Sequence, residues 1–106
     1  MTGIKHDEGK LRLAQVLRGF ATALEAVAEV GDQGIDEYGL DNWKQLDDAL
    51  NRYADAGARH RLEMDKHGWD AVDSYSGNLH AAHAAWNSLA LLSFIIENDK
   101  QEEIAE

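Results

Sequence analysis

The chain has 106 residues, with no cysteine and no proline. The first absence excludes disulfides, thiolate metal sites and cysteine nucleophiles. The second removes the residue that breaks helices most firmly. Cations are scarce: ten Lys and Arg stand against twenty Asp and Glu, a formal net charge of −10. A nucleic-acid duplex would be repelled on average, so none is expected as a partner. No run reaches the ~18–20 apolar residues of a membrane span, and no membrane association is expected. The opening Met1-Thr2-Gly3-Ile4-Lys5-His6-Asp7 lacks the apolar stretch of a signal peptide. The expected setting is a reducing cytoplasm, that of a bacterial host if the chain is phage-encoded. The length suits one domain on the small side, burying roughly 60–70% of its unfolded surface. So modest a core favours oligomerisation.

Ala, Leu and Glu are abundant, and these residues favour helices. Three periodic segments appear. Over 10–30, Leu13, Val16, Leu17, Phe20, Leu24 and Val27 recur at spacings of three and four. Over 43–66, Leu46, Leu50, Tyr53, Gly57 and Met64 form an inner stripe. Over 79–98 the pattern is apolar almost all round, as in a central or interfacial helix. Gly31-Asp32-Gln33-Gly34 and the run 38–42 read as breaks. Asn42 with Gln45 resembles a capping box for the second helix. Residues 67–77 read as a long loop, and long loops in small helical domains are often functional. The expected organisation is all-α: a bundle of three to four helices over 1–98, a frayed polar tail over 99–106, and a core completed in a homo-dimer or tetramer.

The informative residues are polar ones in apolar positions. His60 continues the stripe of Leu46, Leu50, Tyr53 and Gly57. His80, His83 and Asn87, at i, i+3 and i+7, fall within about 60° of each other on a helix. Desolvating them costs free energy unless they find partners, and a metal ion would be one. Glu63 shares a face with His60, Asp70 and Asp73 precede the HxxH helix, and Glu25, Glu29 and Asp32 make a carboxylate stripe on the first segment. Carboxylates and HxxH pairs on bundle helices are a recurrent divalent-metal arrangement. The candidate ligands are His60, His80, His83, Asp73, Glu63 and Glu29, with Glu63 or Asp73 as the base for a metal-bound water. Mn²⁺ or Mg²⁺ is the first expectation, with Zn²⁺ or Co²⁺ as alternatives given so many imidazoles. Lys5, Lys10 and Arg59 are the candidate phosphate-binding cations. Asn42, Trp43, Tyr38 and Asn87 are candidates for contact with a nucleobase, although the aromatic ones would serve equally as anchors for loops.

Taken together, Lys5-His6-Asp7-Glu8-Gly9-Lys10, Gly34-Ile35-Asp36-Glu37-Tyr38-Gly39 with Asn42-Trp43, Arg59-His60, and the stretch from Asp73 through His80 and His83 to Asn87 resemble a known family. It is the phage and prophage family of dATP/dGTP diphosphohydrolase N-terminal domains, similar to MazG-like all-α pyrophosphohydrolases. The resemblance covers about 5–94. It implies a metal-dependent (deoxy)nucleoside triphosphate pyrophosphohydrolase that leaves a monophosphate and pyrophosphate. The alternative is a non-catalytic helical oligomer, a phage accessory protein that binds nucleotides or a host protein. The chain departs from the family pattern at Glu37, where a Lys is usual, and at Tyr75, where a Glu is usual.

Overall fold

A computed structural model describes residues 3–105, with backbone alone for 100–105. It is all-helical: α1 (Leu13–Arg18), α2 (Ala21–Tyr38), a single 3-10 turn (Asn42–Gln45), α3 (Ala49–His67) and α4 (His80–Ala105).

The first apolar stripe is split between two helices. Gly19, a poor helix former, ends α1, and the Phe20 amide donates to the Leu17 carbonyl at 3.0 Å before α2 begins. The break expected at Gly31–Gly34 does not occur, and α2 runs through it. Gly31 serves packing instead: a Cβ there would sit 3.1 Å from the indole Nε1 of Trp86 on α4. The second segment also begins differently. Asn42 and Gln45 form no capping box; no side chain caps the 3-10 turn, Asp41 takes a left-handed conformation, and the chain is extended at Leu46. Asp48, also left-handed, then leads into α3. The helices α2 and α3 stop at Gly39 and Gly68, both at positive φ, whose amides bond back to Ile35 and Met64. The polar end expected to fray continues as backbone helix to Ala105, and Glu106 lies outside the described residues.

Helices α3 and α4 are antiparallel partners. Tyr53 meets Phe94 and Trp86, Gly57 meets Asn87, and His60 meets His83, so rising numbers on one helix match falling numbers on the other. Tyr53, Ala49 and Ala90 are the buried centre, and Trp43, Leu46, Trp86 and Phe94 pack on it. Trp43 approaches Trp86 and Phe94 edge-on with centroids 5.9 Å apart, and the Tyr53 hydroxyl donates to the Trp43 carbonyl at 2.6 Å. The expected loop over 67–77 is an ordered hairpin. Val72 and Leu79 form an antiparallel bridge, the Asp73 and Gly77 amides donate to Asn78 and Asp73 at 2.8 Å, and the His80 amide donates to Ala71 at 2.9 Å.

The amino-terminal third is different: every residue from 3 to 25 is exposed. The radius of gyration is 17.4 Å, against about 13 Å for a compact chain of this length. Among the described residues no large side chain is fully buried.

Candidate functional site

The α3–α4 pairing brings three histidines together. Gly57, whose missing side chain leaves room for the Asn87 Cβ, lets the helices approach one turn before His60. His60 then stacks on His83, with centroids 4.4 Å apart and planes within 8°. Its Nδ1 lies 2.8 Å from Nδ1 of the buried His80, so one of the two rings must carry the shared proton. Asn87, also buried, donates to the His83 carbonyl at 2.8 Å and steadies that turn of α4.

The hairpin closes over this cluster. Ser76 Oγ is 2.7 Å from His83 Nε2. The Ser76 amide donates to Asp73 Oδ2 at 3.0 Å, and that oxygen lies 3.7 Å from the same Nε2. Helix α2 holds the hairpin from the other side. Asn78 donates to Gln33 at 2.9 Å, Gln33 makes a longer bond to the Ser76 carbonyl at 3.4 Å, and the Tyr75 hydroxyl donates to Glu37 at 3.1 Å.

Burial lowers the His60 and His83 pKa values, favouring the neutral rings, and neighbouring histidines act in the same direction; Asp73 opposes this at both. Burial opposes ionisation of Asp73, but the Ser76 hydroxyl and amide, with His83 and His60, outweigh it and hold the carboxyl below its ordinary range.

These groups line a cavity of about 940 Å³ between α2, α3, α4 and the hairpin. His60, His83 and Asp73 line it, as do Tyr38, Asn42, Trp43 and Asn87, while His80 stands behind His60. The other candidates lie elsewhere. Glu63 bonds along its own helix to His67 and Lys66, at 3.4 and 4.0 Å. Glu29 and Arg59 are exposed and outside the lining. Lys5 and Lys10 lie in the exposed amino-terminal segment, Lys10 in a separate shallow groove over 7–15. Arg52, Trp86, Gln33 and Ser76 line the cavity without having been singled out as site residues. Arg52 had a signal, since Arg52, Ala56 and His60 repeat every four residues. Ser76 had none of that kind, because helical period does not run through a hairpin.

The donor set does not fit the expected divalent metal as it stands. His60 and His80 spend their Nδ1 atoms on each other, and His83 directs Nε2 at Ser76. Among the described residues no group of three or more His, Asp or Glu is placed to hold an ion.

Fold and site together define a small helical domain with an aromatic-walled, histidine-floored cavity of the size that takes a small organic ligand. A family model for the N-terminal domain of dATP/dGTP diphosphohydrolases matches residues 1–104, and the chain belongs to that family. A dATP/dGTP diphosphohydrolase of Salmonella phage PMBT28 is 37% identical over 98 residues, which are 92% of this chain and 31% of the relative. The chain thus spans about a third of the length of the curated relative it matches. No solved structure matches it.

Proposed function

We propose that this domain binds a (deoxy)nucleoside triphosphate in the cavity between α2, α3, α4 and the hairpin, and takes part in its hydrolysis to monophosphate and pyrophosphate. The observation that carries this reading is the composition of this cavity. Aromatic rings of Trp43, Trp86, Tyr38 and Tyr75 lie on its walls, and His83, Asp73 and Arg52 supply an acceptor, an anion and a cation within it. Flat rings accept a nucleobase by stacking. Arg52 is in none of the ion pairs among the described residues, leaving its guanidinium fork for phosphate oxygens. A neutral His83 takes a proton from an attacking hydroxyl, and the Asp73 carboxylate 3.7 Å away stabilises the imidazolium that results. Family membership and the name of the phage relative support dATP and dGTP as the first substrates to test.

Self-association belongs to the same reading. The radius of gyration and the exposed Leu13, Val16, Leu17 and Phe20 leave an apolar face for a second copy.

The direct test is incubation of the chain with each dNTP in buffer containing Mg²⁺ or Mn²⁺, with chromatographic resolution of the products and sedimentation to give the mass in solution. Monophosphate and pyrophosphate in equal amounts are expected, with turnover at least tenfold lower for Arg52→Ala. Absence of both turnover and binding for every dNTP overturns the reading.

A further inference from the structure

Two apolar stripes of this chain are left open, and they share one spacing. Helix α4 gives one side to α3, through His83, Asn87, Ala90 and Phe94. About half a turn round the same helix stand Ala85, Leu89, Leu92 and Ile96, at steps of 4, 3 and 4. Leu13, Leu17, Phe20 and Leu24 run from α1 into α2 at the same steps. These are the steps of a coiled-coil seam. The seven large side chains among these eight are 38–61% exposed. With Val16 and Ile95 beside them they leave on the order of 800 Å² open per copy, which is what each partner gives a standard interface.

Charge follows the same division. Residues 9–24 contain Lys10, Arg12 and Arg18 and no Asp or Glu, whereas 80–99 contain Glu97 and Asp99 and no Lys or Arg. Laid antiparallel, the stripes put Leu13 opposite Ile96, Leu17 opposite Leu92, Phe20 opposite Leu89 and Leu24 opposite Ala85. The same register puts Arg12 opposite Glu97 and Lys10 opposite Asp99, so charge and apolar spacing agree. A parallel alignment matches the steps equally well but sets Glu25 against Glu97. From this we propose that residues 10–24 of one copy dock antiparallel along the outer face of α4 of a second copy. The second copy returns the contact with its own arm, which closes a two-fold dimer. The inference rests on the self-association stated above and names the two surfaces that make it. His83 and Asn87, which line the cavity, stand on the other side of α4, and the contact is read without any nucleotide.

Sedimentation of the full chain over a concentration series should show a monomer–dimer equilibrium. Leu92→Asp changes an exposed position, so it should keep its helical circular dichroism while the dimer weakens at least tenfold. Arg12→Glu should weaken the dimer as well, and Arg12→Glu/Glu97→Arg should restore it. Because the chain has no cysteine, single-cysteine variants report the register. A disulfide needs Cα atoms within about 7 Å. Leu13→Cys chains mixed with Ile96→Cys chains and mildly oxidised should therefore give at least fivefold more mixed disulfide than Leu13→Cys with Ala85→Cys. A chain that stays monomeric at every concentration overturns both the docking and the self-association. A dimer that Leu92→Asp leaves intact, or one that links Leu13→Cys to Ala85→Cys instead, overturns the antiparallel docking and leaves self-association standing through another surface or register.

Discussion

Both ends of this chain carry leucine-type residues, yet they are organised in opposite ways. Around α3, α4 and the hairpin, apolar residues are interlocked with polar ones: Tyr53 packs against Phe94 and Trp86 and bonds to Trp43, and His60 stacks on His83. Over 3–25 every residue is exposed, although Leu13, Val16, Leu17 and Phe20 repeat as regularly as any core stripe. Periodicity alone therefore does not make a core. It makes a helix with one apolar face, and the face becomes a core only when another surface meets it. In this molecule the aromatic residues and the glycines decide where that happens. Gly31 and Gly57 let α4 approach α2 and α3, and Trp86 fills the approach at Gly31.

The largest effect expected from this contrast is in paired truncations. Tyr53→Ala removes a buried ring contacting two aromatic neighbours and should cost about 3–5 kcal/mol in denaturant unfolding. Leu17→Ala, at 49% exposure, should cost at most about 0.5 kcal/mol if the chain is a monomer. A cost for Leu17→Ala that rises with protein concentration would break the contrast, because it would mean that a second copy covers the amino-terminal face.

The sequence made the helical class legible, as well as α3 and α4 as separate elements and the inward direction of His60 and of the His80–His83–Asn87 stripe. These follow from period and composition, which act locally. The parts that were not legible depend on long-range contacts. The glycines at 31 and 34 read as a break because glycine usually is one, and only Trp86, 55 positions away, explains why α2 continues through Gly31. Asn42 and Gln45 have the spacing of a capping box, but the chain at Asp41 is left-handed and the turn that follows is too short to use one. Glu63 and the HxxH pair are near in sequence, yet Glu63 is taken by His67 one turn on. Ser76 reaches His83 only because the hairpin folds back, and that reversal is stabilised by Gln33, 43 residues away.

A smaller effect separates the two ends by pH. Burial lowers the His60 and His83 pKa values, so below about pH 6.5 the unfolded chain binds more protons than the folded one. Stability should be level above that pH and fall as the pH drops towards 5. Asp73, whose folded pKa is depressed, contributes stability above its ordinary range and loses it only at lower pH. The measurement is Tm between pH 7.5 and 5, with a decline expected in the parent chain and a flatter profile in His60→Gln/His83→Gln. A parent profile that is flat to pH 5, or a double variant with the same slope, would show that the rings are not protected from charge in the folded chain.

The smallest effect concerns the boundary between the two regions. Helix α2 begins among the exposed residues and ends clamped to the hairpin, so its second half should behave as part of the ordered end. Gln33 is the link, since its one side chain meets both the Asn78 amide and the Ser76 carbonyl. Both bonds are exposed, so Gln33→Ala should lower stability by only about 0.5–1 kcal/mol. The local consequence should be clearer than the global one. The amides of Asp73, Gly77 and His80, which close the hairpin through Asn78, Asp73 and Ala71, should exchange faster in hydrogen-exchange mass spectrometry, while those in the middle of α3 keep their parent rates. Equal acceleration in both places would mean that α2, the hairpin and α3 open as one cooperative unit. No acceleration anywhere would mean that the hairpin holds itself, and that Tyr75 and Glu37 suffice to keep it against α2.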